Sequence, residues 1–279
     1  MDLEQIKQNL FAPKVDAIMK SEFEFLYRDT IDFILNKYQE FSQHINDNTV
    51  LKHLLPIAAL PDFQIKHQNE TEKNLNTHLE ELLKNIAPKT NNAKILRAPA
   101  NEENELLSLI LLKYSRLNSD QIKEKISLFT IEQREILFEK YFQADLELKL
   151  LNFIPYTIEL TTDIQTLQYL KKHLGNDLLI QPFSIHHHYY IPKEILNSGD
   201  HGEYIQVMKR ALYAYEKMLP QLSTQAFYII PLAFLQKVIF TISINKLITL
   251  DCPVIVEILN EIKKINPTIY SAYKNKIKI

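Results

Sequence analysis

Only three glycines, Gly175, Gly199 and Gly202, occur in 279 residues. A P-loop and a GxGxxG turn each need several glycines so that backbone N–H groups can approach phosphate closely. Neither can be built here, and the common nucleotide folds that depend on them are excluded. A second scarcity bears on the same chemistry. Of 32 basic residues, Arg28, Arg97, Arg116, Arg134 and Arg210 are the only arginines, and the rest are lysine. A site that grips phosphate or carboxylate through a guanidinium fork resists replacement by lysine, which cannot make the bidentate contact.

With 34 acidic residues the net charge is −2, and no basic run is long enough to draw a polyanion by charge alone. Nucleic acid and anionic membrane are not expected partners. The N-terminus "MDLEQIKQNL" has no apolar signal core, and the most apolar stretch, residues 226–244, is interrupted by Pro231, Gln236 and Lys237. The chain therefore reads as soluble and cytoplasmic. Cys252, the single cysteine, rules out a disulfide framework and cysteine-based zinc, and before Pro253 it reads as a small buried hydrophobe.

Along the chain, residues 3–42 are expected to be helical, with Leu26, Phe33, Ile34, Tyr38 and Phe41 forming one apolar stripe. "DFQIKHQ" alternates like a strand, "NETEKNLNTHLEELLKNI" returns to helical spacing, and "APKTNNAK" (87–94) is the clearest linker. A strand at "KILRAPA" and three helices follow, with Ser119 and Thr130 as expected N-caps, the latter with Gln133 at the capping-box distance. Glu102, Glu103 and Glu105 then stand at a helix start, where acidic side chains complement the dipole. "IPYTIELTT" reads as a strand and "DIQTLQYLKKHL" as a helix. The histidine stretch "SIHHHYYIP" is expected to be extended, and a helix from about Gly202 to Leu219 comes next.

The chain also repeats itself. "YRDTIDFILNKYQEF" followed by "VLKHLLPIAALPDFQIKH" runs parallel to "YIQVMKRALYAYEKM" followed by "QAFYIIPLAFLQKVIFTI". Each is an amphipathic helix, then an apolar-apolar-Pro-apolar-Ala string (Leu54–Ala58 and Ile229–Ala233), then a strand.

On these residues the chain resembles the flavin-dependent thymidylate synthases. "QAFYIIPLAF" is similar to the family's "AxYxLPxA" segment. "ENELLSLILLKYSR" with the helices after it is similar to the "AALLYxxS" region, and "YTIELTTDIQTLQYLKKHL" to the strand and helix carrying the Arg-His-Arg flavin motif. The likeness covers 94–279 as one thymidylate-synthase-like domain with a degenerate motif. Residues 1–90 resemble the C-terminal half of a second copy, as in a truncated two-copy form.

The resemblance implies sites for FAD and deoxyuridine monophosphate, and the residues depart from both. The Arg-His-Arg positions hold Lys172, His173 and Leu174. The polar run after them falls on Asp177, Ile180, Pro182 and Ser184, and the Asn-x-Arg pair on Ser243 and Asn245, or with a shift on Asn245 and Leu247. C-terminal to Glu135, Arg210 stands alone. Each lost charged hydrogen bond costs about 1.5 to 3 kcal/mol, so several together remove useful affinity. Lys172, His173 and Ser184 are the cofactor-binding candidates by motif position, and FAD is the one cofactor the resemblance brings into play.

His186 and His188 offer a rival reading. On a strand they would share a face, and with His201, Asp200 or Glu194 they would suit zinc or iron. The spacing includes no second ligand pair, and the reading kept is no metal, with one histidine face in solvent and the other beside Tyr189 and Tyr190.

The expected fold is α+β: a mixed, mostly antiparallel sheet flanked by helices, helix-rich, with an internal pseudo-repeat. The expected function is that of a diverged thymidylate-synthase-like protein without the family's usual site, non-catalytic or repurposed. Its expected partner is a second copy or a paralogous chain. The enzyme alternative is a flavin-dependent transferase acting on a nucleotide or related small molecule through His173 and Lys172.

Overall fold

The computed structural model describes residues 3–61, 92–144, 149–175, 177–183 and 185–267 together with Leu75, Leu79 and Tyr270; for Ala144 and His186 it describes the backbone alone. In chain order the main elements are helices α1 (Leu3–Leu10) and α2 (Glu24–Ser42), strand β1 (Ala93–Arg97), helices α3 (Glu102–Tyr114), α4 (Ser119–Ser127) and α5 (Ile131–Ala144), strand β2 (Pro155–Asp163), helix α6 (Ile164–Leu174), strand β3 (Leu178–Ile180), helix α7 (His201–Leu222), strand β4 (Leu235–Ser243) and helix α8 (Val254–Ile265). The class is α+β and helix-rich, with a four-stranded antiparallel sheet in the order β1-β2-β4-β3. The strand read at "DFQIKHQ" lies outside the described residues, as does all but Leu75 and Leu79 of the helix after it.

The single helix expected over 3–42 is divided. Pro13 has no N–H to continue a helix and begins a 3-10 turn, Pro13–Val15, followed by one helical turn, Asp16–Met19. Ser21 closes that turn, its hydroxyl donating to Ile18 O and accepting from Phe23 N, and α2 starts afresh.

The described residues fall into two compact units. One draws on residues 1–90, 163–167 and 183–236, the other on 91–162, 168–182 and 237–279. The first is built around α2 and α7, which pack against each other. Five buried positions on each stand at identical intervals: Tyr27, Thr30, Ile31, Ile34 and Phe41 on α2, and Tyr204, Val207, Met208, Ala211 and Met218 on α7. Each helix opens with a fully buried tyrosine whose hydroxyl donates to an upstream carbonyl, Tyr27 to Leu10 O at 2.8 Å and Tyr204 to Tyr190 O at 2.9 Å. The two proline strings then meet in an antiparallel bridge, Pro56 opposite Pro231. Ile57 N donates to Ile230 O, and reciprocally Leu232 N donates to Leu55 O, both at 2.8 Å. Such reciprocity is the mark of a local twofold relation, here between two stretches of one chain.

The second unit is built on the sheet. Tyr156, Ile158 and Leu160 alternate on the buried face of β2, and Val238, Phe240 and Ile242 on that of β4, as period-two geometry requires. On the opposite face Thr157 Oγ1 lies 3.0 Å from Thr241 Oγ1, and Lys237 Nζ lies 3.7 Å from Glu159. A register shift between Ile95 and Arg97 breaks the β1 ladder. Thr130 and Gln133 form the expected reciprocal cap of α5. The cap of α4 is Asn118 rather than Ser119. Its side chain accepts from Asp120 N and Gln121 N while Gln121 returns a bond to Asn118 N.

The histidine stretch is not extended, contrary to expectation. Ile185–His187 form a 3-10 turn and His188 has φ +64°, in the left-handed region. The cause is a long-range pairing. Leu235 N donates to His188 O and Tyr190 N to Ala233 O, and Tyr189 bridges Phe234, so the chain must turn sharply to present 188–190 to 233–235.

Candidate functional site

α6 carries the residues at the flavin-motif positions. Its apolar side sinks Leu167, Leu170 and Leu174 into the interior and leaves Lys172 and His173 exposed in the last turn. Cationic side chains there complement the partial negative charge of the helix C-terminus. Gly175, at φ +73°, ends the helix through its N–H to Lys171 O at 2.9 Å. His173 is turned back on its own helix: Nδ1 donates to Tyr169 O at 2.8 Å and the two rings lie 4.1 Å apart. The Tyr169 hydroxyl in turn accepts from Asp251 N at 2.8 Å.

The other motif positions do not converge with these. Leu174 is buried, Asp177 and Pro182 are exposed, Ile180 pairs with Val238 in the sheet, and Ser184 lies outside the described residues. Ser243 caps the short helix Ile244–Leu247 by accepting from Lys246 N, and Asn245 donates to Asn152 Oδ1 at 3.1 Å. Leu247 is buried. Arg210, the lone arginine beyond Glu135, is engaged within the first unit: it pairs with Asp29 and lies 4.5 Å over the Phe33 ring, joining α7 to α2.

The 3-10 turn removes the premise of the metal reading, because His186 and His188 do not sit on a strand with period two. His188 is exposed, and of His186 only the backbone is described. Among the described residues no group of three or more His, Cys, Asp or Glu is placed to hold a metal ion.

One cluster escaped the reading of the sequence. In the first unit, His53 Nε2–H donates to Asp163 Oδ1 at 3.3 Å, with both side chains more than nine-tenths buried. Asp163 also accepts from Thr166 N at 2.8 Å, which makes it the cap of α6. Burial pushes its carboxyl pKa up, but the His53 bond and charge and the Thr166 bonds outweigh that and hold it below the usual carboxylate value. The Tyr190 ring lies 5.2 Å from the His53 ring, and its carbonyl accepts from Tyr204. The Tyr204 hydroxyl is pushed well above its ordinary pKa, first by burial and then by the charge of Asp163. The signal that could have found this cluster is the Asp163 N-cap in "TTDIQTL". Its partner, 110 positions upstream in sequence number, carries no local sign.

No known protein family's sequence pattern matches the chain, and no curated protein sequence matches it. Among solved structures the chain is similar to a UMP/dUMP methylase, PolB, from Streptomyces cacaoi, bound with 5-Br dUMP. Identity is 10%, the match covers 66% of this chain and 94% of that one, and the TM-score is 0.50. At this identity the likeness is one of fold.

Proposed function

We propose that this protein is a diverged member of the flavin-dependent thymidylate synthase superfamily that has lost the FAD and deoxyuridine monophosphate site and serves a non-catalytic or repurposed role. In this reading residues 1–90 are the remnant of a second copy and 94–279 a degenerate domain. The carrying observation is the engagement of Arg210. The one guanidinium in the region where the family holds its phosphates is bound to Asp29 and Phe33 inside the first unit. A flavin pyrophosphate and a nucleotide phosphate both require fixed cationic donors. At the remaining motif positions, Lys172 is a surface ammonium and His173 is turned to its own helix. In this reading Lys172 and His173 do not supply the fixed cationic donors that FAD requires.

The reciprocal bridge at Pro56 and Pro231, with its matched tyrosines, supports an internal duplication. The fold likeness to a nucleotide methylase supports the ancestry. Assembly with a second copy or a paralogous chain belongs to the same reading. The test is optical and thermal. Purified protein is expected to be colourless, with no flavin released on denaturation and a melting temperature unmoved by FAD or deoxyuridine monophosphate. Yellow protein that releases flavin would sink this reading in favour of a flavin-dependent transferase using His173 and Lys172.

A further inference from the structure

Glu102, in the second unit, does not behave as a helix-start acid displayed to solvent. It is 2% exposed, and its Oε2 accepts from the hydroxyl of Tyr156, which is wholly buried on β2. Its Oε1 is buried and has no hydrogen-bond partner. Among the described residues no lysine, arginine or histidine pairs with it. Asp163, in the first unit, shows what an ionised carboxylate needs at such depth, since His53 and the Thr166 N–H both donate to it. A carboxylate with a single hydroxyl for a partner is not tolerated in an apolar interior: it holds a proton, or it leaves. The start of α3 is also lightly held. Asn101 satisfies its first amides, accepting from Asn104 N at 3.1 Å through Oδ1 and from Glu105 N at 3.0 Å through its carbonyl. Ala100 and Asn101 are exposed and, with Glu103, line a space of about 220 Å3 opposite the end of α8, which leaves that side of the turn without packing.

We propose that Glu102 and Tyr156 form a proton-operated latch: the protonated carboxyl keeps the first turn of α3 on β2, and loss of the proton releases that turn into the neighbouring space. Burial pushes the Glu102 pKa up to about 7, the Tyr156 bond pulls against it, and Glu105 adds a further push. Once released, the carboxyl returns to its ordinary 4.5. The closed state therefore binds the proton more tightly. Its advantage is fully present below 4.5 and is lost as pH rises to about 7. Each pKa unit is tenfold, so the opening equilibrium grows about 300-fold across this window. The charged groups of the surrounding elements do not offset this. Arg134 of α5 is bound to Asn104 Oδ1 and Ile126 O, and α4 turns its charged side chains to solvent. Lys149 begins the 3-10 segment that packs on α3, and at the end of α8 Lys263 lies over the Tyr270 ring while Lys264 pairs with Glu261. The influences on the Glu102 carboxyl remain burial, Tyr156 and Glu105.

The latch uses none of the family's motif positions, so the flavin experiment decides nothing about it. Its test is amide hydrogen exchange on the full chain, followed by NMR at Asn104 and Glu105 and corrected for the exchange of unstructured peptides at each pH. The corrected rate is expected to climb about 300-fold between pH 4.5 and about 7 and then to level. Glu102→Gln, which has no proton to lose, is expected to give a flat profile. Dilute urea should leave the rates unchanged, because release of one turn exposes little surface. In Tyr156→Phe the pull of the hydroxyl is gone, and levelling is expected at higher pH. A flat profile in the unaltered protein, the same climb in Glu102→Gln, rates that urea raises as it raises global unfolding, or a levelling point unmoved or lowered in Tyr156→Phe would overturn the proposal. Should either variant fail to fold, the pH profile and urea response of the unaltered protein still decide.

Discussion

Tyr27 and Tyr204 hold matching places in the two halves of the first unit, and each donates its hydroxyl to an upstream carbonyl. Tyr27→Phe and Tyr204→Phe are each expected to lower the unfolding free energy by about 1 kcal/mol, the net contribution of one hydrogen bond. Urea titration measures this, and a loss at one position only would break their equivalence. Two carboxyls act on stability with opposite sign. Glu102 holds its proton in the folded state up to about pH 7, against 4.5 ordinarily. The stability it contributes is fully present below 4.5 and is lost as pH rises to about 7. Asp163 is depressed below 3.8, so its contribution is present above that value and is lost as pH falls through its folded pKa. Stability measured against pH should therefore lose its decline between about 4.5 and 7 in Glu102→Gln and flatten on the acid side in Asp163→Asn.

The helices follow local signals closely. Capping chemistry is written within four residues, which is why the Thr130 and Gln133 box is legible in the sequence. The boundary of α4 shows the limit of such reading, since "NSD" offers three capping residues in a row and the backbone uses the first. Asn118→Ala is expected to cost about 1 kcal/mol, whereas Ser119→Ala should stay within about 0.5 kcal/mol, both by thermal unfolding. Period-two alternation placed β2 correctly, and the repeated order of elements placed β4. Alternation failed at the histidines because the turn there is imposed by hydrogen bonds to residues 233–235, about 45 positions on in sequence number. The same gap explains the cluster at His53. Helical and strand periods report which face of an element is buried, but not which distant element covers it.

At the scale of the molecule, the first unit draws its core from stretches far apart in the sequence: Ile31, Ile34 and Phe41 from α2 join Val207, Met208 and Ala211 from α7. A chain starting at residue 94 would leave the α7 face uncovered. It is expected to bind a hydrophobic dye and to lose cooperative unfolding, and a fragment that unfolds as sharply as the whole chain would contradict this account of the core. Among the described residues no helix is long and apolar enough to cross a membrane.

What the sequence determined by itself is what local chemistry controls. The three glycines exclude phosphate-cradling loops, the periodicities produce a helix-rich α+β chain, and the proline string occurs twice. The tertiary structure alone decided that those strings meet face to face at Pro56 and Pro231. It alone took Glu102 from a helix start into the interior beside Tyr156, and brought His53 to Asp163. These pairings depend on burial and on partners far away in sequence. Desolvation, which sets their energies and pKa values, exists only once the chain has closed around them.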